Sequence, residues 1–205
     1  QAQEATIHFS FEGVAVSKKV KLAPGQTLPV TFTSADDAQL NIKNPRLWWP
    51  NSYGLPNLYN ATIKVTDAKG VEEIKQFRFG IREYTYEMMA DTEEKQAVRF
   101  SYSPTDIKVD KPIIDFTKRR AFKDKIFIPT LRPEFPLEKI EVIPKNDNPF
   151  LVIKVNAVAV YCKGGNWGID DAMKKVNREN LEPAFRLHRE ANFNMIRNWT
   201  GESTE

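Results

Sequence analysis

Near its C-terminal end the chain twice sets tryptophan beside amide, carboxylate and guanidinium side chains. Asn166-Trp167 has Asp170-Asp171 close behind it, and Arg197-Asn198-Trp199 follows later. An indole offers a flat apolar face, while carboxylate and guanidinium groups offer paired hydrogen bonds in fixed geometry. Together they suit a ligand ring with C–H faces and hydroxyl edges. Simple packing is the competing reading of Trp167 and Trp199, and both readings stay open on these residues alone. Other chemistries lack their residues. Two histidines and one cysteine argue against a zinc site or a catalytic triad. His188 falls on the apolar face of a helical stretch and reads as a core or rim residue. Gly164-Gly165 lacks the lysine and hydroxyl spacing of a phosphate-cradling loop. Glu202 and Glu205 have nothing nearby that pairs them as acid and base. Neither a metal nor a cofactor is expected.

Composition narrows the partners. Of 205 residues 41% are hydrophobic and 28% charged, the balance of a globular chain with a core. Thirty basic against twenty-seven acidic residues leave a net charge of +3, too small a bias for a nucleic-acid or membrane-surface partner. Cys162 stands alone, so no internal disulfide can brace the fold. No stretch reaches the ~18 consecutive apolar residues of a membrane span, and Gln1-Ala2-Gln3-Glu4 lacks the form of a signal peptide. A periplasmic or secreted location requires that a signal has already been removed. The triplets Asn60-Ala61-Thr62 and Asn198-Trp199-Thr200 are sequons without a demonstrated secretory context.

The elements that must position these residues fall into three stretches. Residues 1–87 carry the two-residue period of strands: Ile7, Phe9 and Phe11 alternate with Thr6, His8 and Ser10. Val20 and Leu22 lead to the turn pair Pro24-Gly25, and the alternation returns at Leu28, Val30 and Phe32 and at Leu40 and Ile42. Tyr59, Ala61, Ile63 and Val65 form a further strand, a turn follows at 67–70, and a last strand runs through Phe77, Phe79 and Ile81. Short strands at this spacing predict a mostly β fold, an immunoglobulin-like β-sandwich. Residues 88–150 are rich in proline, which forbids long helices and central strands. They are expected to form an irregular insertion or linker with short edge strands at 126–128 and 140–143. The basic run Lys118-Arg119-Arg120 reads there as a solvated surface. In residues 151–205, two apolar runs around Asn156 predict a hairpin ended by Gly164-Gly165. Asn180 is expected to cap a helix with Pro183 in its first turn and Ala184, Leu187, His188 and Ala191 on one apolar face. Residues 193–199 read as a buried strand. Strand, helix and strand make a βαβ unit with parallel strands.

Four motifs share one resemblance. Pro45-Arg46-Leu47-Trp48-Trp49-Pro50 with Gly54-Leu55-Pro56-Asn57-Leu58-Tyr59, and Phe79-Gly80-Ile81-Arg82-Glu83, resemble the sandwich-domain signatures of glycoside hydrolase family 2. Lys163-Gly164-Gly165-Asn166-Trp167-Gly168-Ile169-Asp170-Asp171-Ala172-Met173 resembles the family's loop after the first barrel strand. Asn194-Met195-Ile196-Arg197-Asn198-Trp199 resembles its second strand. The form of the last two is most similar to the β-mannosidase and endo-β-mannosidase branch, with the exo-β-glucosaminidases near. The resemblance implies that the βαβ unit opens an incomplete (β/α)8 barrel, a fold that needs ~250 residues. It implies a fragment of a longer retaining enzyme whose two catalytic glutamates lie outside these residues, so that the chain alone is inactive. It further implies a carbohydrate-binding role for Asn166, Trp167, Asp171, Arg197, Asn198 and Trp199, with Asp171 or its neighbour Asp170 accepting from sugar hydroxyls. Trp48 and Trp49 read as core, and Arg82 as one half of a structural ion pair. The expected partners are a β-mannoside-containing glycan and the remaining domains of the parent. Exposed strand edges also invite a homodimer.

Overall fold

The computed structural model describes residues 3–93, 96–104, 113–123, 126–132, 140–144, 147–168 and 177–198. It divides into two compact units, Gln1–Trp48 with Leu55–Ile81 and Trp49–Gly54 with Arg82–Glu205. Strands dominate both, as the alternation predicts for the first. Among the described residues no helix is long and apolar enough to cross a membrane.

The first unit is built on β1 (Gln3–Phe11), β2 (Val14–Leu22), β3 (Tyr59–Asp67) and β4 (Glu72–Phe79), an antiparallel sheet in the order β2-β1-β3-β4. Glu12 and Gly13, at φ 25° and 90°, turn β1 directly into β2. At the β3–β4 turn, the Asp67 carboxylate accepts from the backbone N–H groups of Lys69 and Val71, both at 2.8 Å. One face is aromatic: the Phe11 ring lies 5.8 Å from Tyr59 and 5.1 Å from Phe79, edge-on to both. Phe11, Tyr59 and Ala61 are buried, with Phe9, Leu40, Ile42 and Ile81 packed around them.

The strands expected at Leu28–Phe32 and Leu40–Ile42 do not form. Between Leu22 and Tyr59 the described chain has only two isolated bridges, at Leu47 and Trp48, and a 3-10 turn at Ala38–Leu40. The two-sheet sandwich is therefore one ladder covered by a segment without a ladder. Its polar side chains explain the difference, because they bind locally instead of leaving the backbone to pair. Thr33 Oγ1 donates to Asp36 Oδ2 at 2.9 Å, Asp37 caps the 3-10 turn through Gln39 N–H, and Lys18 Nζ reaches Thr31 O and Asp36. Phe32, 6.2 Å from Phe9, and Leu40 and Ile42 still pack on the sheet.

The second unit corrects the reading of residues 88–150, which are a sheet and not an irregular insertion. Its strands are β5 (Tyr84–Asp91), β6 (Ala97–Tyr102), β7 (Ile114–Lys123), β8 (Ile126–Leu131), β9 (Glu141–Val142), β10 (Val152–Val155) and β11 (Val158–Val160). They pair as β11-β10-β5-β6-β9, with β8 joining β5 to β7. The short strands expected near 126–128 and 140–143 are β8 and β9. Pro129 is accommodated inside β8 because the β7–β8 register shifts between Asp115 and Arg119. The hairpin forms as predicted, with Asn156 and Ala157 at φ 51° and 65°, but β10 pairs with β5 and so belongs to this sheet. Ala90, Phe100 and Leu131 form its core, and Arg99 is buried within it at 2% exposure. The basic run is not wholly solvated: Arg120 Nε and Nη2 hold both oxygens of buried Asp91 at 2.5 and 2.6 Å, and Arg119 lies over the Phe127 ring.

Candidate functional site

The candidate residues stand on β12 (Gly164–Trp167) and β13 (Met195–Asn198), a parallel pair joined by helix α1 (Arg178–Glu190). This is the expected strand–helix–strand crossover, with three local corrections. Gly164 and Gly165 open β12; they do not merely end the hairpin. A Cβ on Gly164 would stand 1.9 Å from the Met195 carbonyl oxygen, so only glycine permits this approach of the two strands. Second, Asn177 and not Asn180 caps α1, its side chain accepting from Asn180 N–H at 3.0 Å. Pro183 then falls inside the helix, one turn beyond the expected place. Third, Leu181, Ala184 and His188 are the half-buried positions of α1, whereas Leu187 is 61% exposed and Ala191 is exposed. β13 is likewise exposed at all four positions, not buried.

Strand alternation sorts the described candidates onto two faces. Asn166 pairs in register with Arg197, and Trp167 with Asn198. Arg197 Nη1 donates to Asn166 Oδ1 at 3.0 Å, which joins guanidinium and amide in one polar edge on one face. Trp167 takes the other face, and alternation puts Asn198 beside it. There the indole is 8% exposed, stacked 5.5 Å from Phe185 and edge-on to His188 at 6.1 Å. Its ring face is thus occupied, and Nε1–H is the group left to offer. That N–H is buried without a hydrogen-bond partner among the described residues, a state that costs about 1–3 kcal/mol unless a ligand or water satisfies it. Asp171 and Trp199 lie outside the described residues, as do Asp170, Glu202 and Glu205. His188 is the rim residue expected, its Nδ1 2.8 Å from Ala184 O and its ring against Phe193.

Several positioning residues escaped the sequence reading. Asn194 Oδ1 accepts from Lys163 N–H at 2.9 Å and its Nδ2 donates to Tyr161 O at 3.0 Å, which sets the start of β13 against the start of β12. Residues 49–54 do the same for α1. Asn51 Nδ2 donates to Arg189 O at 2.8 Å and Phe193 O at 3.1 Å, tying residues 49–54 to the last turn of α1 and to the link between α1 and β13. The Tyr53 hydroxyl accepts from Tyr161 N–H at 2.7 Å, and Ser52 Oγ is 3.3 Å from Asn192 Oδ1. The only signal for these contacts was the motif itself.

Residues 1–82 match the family model of glycosyl hydrolases family 2. Within the matched residues the motif glycines are explained by their tryptophans. A Cβ on Gly80 would stand 2.9 Å from Trp48 Cβ, and one on Gly54 2.7 Å from the Trp49 ring. Both indoles are half-buried, Trp48 in the first unit and Trp49 in the second. Arg82 packs over the Tyr84 ring at 4.8 Å. Curated relatives agree with the family. The chain is 37% identical to the exo-beta-D-glucosaminidase of Hypocrea virens over 76 residues, 37% of this chain and 8% of that protein. It is 24% identical to the mannosylglycoprotein endo-beta-mannosidase of Lilium longiflorum over 163 residues, 78% of this chain and 11% of the relative. It is 29% identical to the beta-mannosidase B of Emericella nidulans over 79 residues, 38% of this chain and 8% of that protein. The chain thus spans 8–11% of the length of these relatives.

Proposed function

We propose that this chain is part of a retaining glycoside hydrolase that cleaves β-mannosides, and that its βαβ unit supplies one wall of the sugar pocket. The observation that carries the reading is the Arg197–Asn166 hydrogen bond between facing positions of two parallel strands. Side chains at the C-terminal ends of such strands line the active-site mouth when the unit opens a (β/α)8 barrel. In this role Asn166, Asp171 and Arg197 hold sugar hydroxyls and Trp199 completes the wall, while Trp167 and Asn198, on the opposite face, back it from the α1 side. The two carboxylates, about 5 to 5.5 Å apart in retaining enzymes, come from other residues of the parent. Similarity to the lily endo-beta-mannosidase across 78% of the chain supports the mannoside preference over a glucosaminide.

The test compares the chain alone with a protein of the relatives' length that contains it. Aryl β-mannoside, β-glucosaminide and β-galactoside are assayed with both. The longer protein should turn over the mannoside best, and the 205-residue chain should turn over none. Arg197→Ala should lower kcat/KM on the mannoside about a hundredfold, the scale of a misplaced substrate contact. Hydrolysis by the chain alone, or a preference for glucosaminide, would refute the proposal.

A further inference from the structure

A cleft of about 440 Å³ opens in the second unit beside β7 and β8, at the end of β5, remote in sequence from the βαβ residues. Asp91, Asp115, Lys118, Arg120, Thr130 and Arg132 are among its lining residues, with Glu93 and Arg119 also present. Four basic residues therefore face three acidic ones. The acids are largely engaged. Asp91 is held by Arg120 through both oxygens. The Asp115 carboxylate accepts from the Thr117 N–H at 2.9 Å and hydroxyl at 2.5 Å. These bonds come first among the causes that hold it below the usual aspartate range, with the charge of Arg132 a smaller one. Two cations remain. Lys118 makes no ion pair among the described residues, and Arg132 has a buried Nε without a hydrogen-bond partner among them.

We propose that this cleft binds the carboxylate or sulfate group of an acidic saccharide. A guanidinium fork matches the paired oxygens of such a group, and a lysine adds a compact second charge. The Thr130 hydroxyl stands in the same wall and suits a sugar hydroxyl. The cleft's volume lies in the roughly 300–1,000 Å³ range of small-molecule sites, room for a group larger than a bare anion. That the bearer is a saccharide rests on the glycosidase reading; that the site takes an anion does not.

Calorimetric titration of the full chain with tetragalacturonate tests the site, with mannotetraose as the neutral control and sodium sulfate as the bare anion. Tetragalacturonate should bind saturably, more weakly as salt rises, and at least about tenfold more tightly than either control. Lys118→Gln and Arg132→Gln should each weaken it by about tenfold, the worth of one charge-assisted hydrogen bond. Lys118 is exposed, so its variant carries the test even if Arg132→Gln does not fold. No binding, equal binding of mannotetraose, or unchanged affinity in Lys118→Gln overturns the site. Sulfate binding as tightly as the oligomer overturns the saccharide assignment. None of these results depends on mannoside hydrolysis, so the two proposals fail separately.

Discussion

At the scale of single residues, burial decides which charges matter. Exposed pairs such as Lys18–Asp36 and Arg178–Glu182 are screened by solvent and contribute little. Glu87 differs: it is 7% exposed and bonded to Lys154 and to Arg99 Nη2, the latter at 3.2 Å. Arg99 also donates to the carbonyls of Asn148 and Phe150, so one buried guanidinium ties the chain before β10 to β6. Burial by itself would raise the Glu87 carboxyl, but hydrogen bonds and charge from Lys154 and Arg99 outweigh it and hold the group below the usual glutamate range. A folded value below the unfolded one adds stability above the ordinary glutamate pKa, and that stability is lost as pH falls through the folded value. Chemical denaturation from pH 7 to pH 3 should show the second unit weakening below the ordinary glutamate range. Glu87→Gln should lose about 3–5 kcal/mol at pH 7, because it strands the Arg99 charge, and its profile should be flatter in acid. Parallel profiles would contradict this account. None of this network was legible beforehand, since Glu87, Arg99 and Lys154 carry no local pattern that marks them as partners. The two motifs placed Asn166 after one strand and Arg197 at the end of the next, but did not show the hydrogen bond between them. The sidedness of Trp167 was not legible either, because reading Gly164 to Trp167 as loop hid the alternation that sends adjacent side chains to opposite faces.

At the scale of elements, local pattern located strands and failed at their partners. Prolines made 88–150 look irregular. Yet Pro104, Pro144 and Pro149 fall between strands, and the register shift in β7–β8 makes room for Pro129. The helix was recognised, but its start was placed at Asn180 because capping chemistry occurs at both Asn177 and Asn180, and only geometry chooses between them. Its end was the least legible part. Asn192, at φ 60°, ends α1 in the left-handed conformation that asparagine tolerates. Asn51, more than a hundred residues earlier, supplies the donors for Arg189 O and Phe193 O. Asn51→Ala should therefore cost about 1–2 kcal/mol, the net worth of two such bonds. Hydrogen exchange would locate the loss: amides of α1 and β13 should exchange faster, while those of β1 to β4 keep their protection. Uniform change across the chain, or none in α1, would show that Asn51 does not hold the end of α1.

At the scale of the molecule, the units divide at Ile81, and the assignment of 49–54 to the second unit was invisible in sequence. Alternation reports which side chains share a face, not which distant segment covers it, so neither the seven-stranded sheet nor this excursion had a local signal. Each unit has a core of its own among the described residues. Phe11, Tyr59 and Ala61 are the buried centre of one, and Ala90, Phe100 and Leu131 that of the other, with no residue in common. A domain with its own core can lose it separately. Phe11 is 6% exposed and touches the Phe9, Tyr59 and Phe79 rings, so Phe11→Ala removes the hub of the first cluster. The expected loss is about 3–5 kcal/mol, the range for a large aromatic deleted from a core. It should fall on one unit: β1 to β4 amides should lose slow exchange, and the core of Ala90, Phe100 and Leu131 should keep its protection and its unfolding midpoint. A single transition moving as one for both sets of amides would mean that the chain folds as one cooperative body.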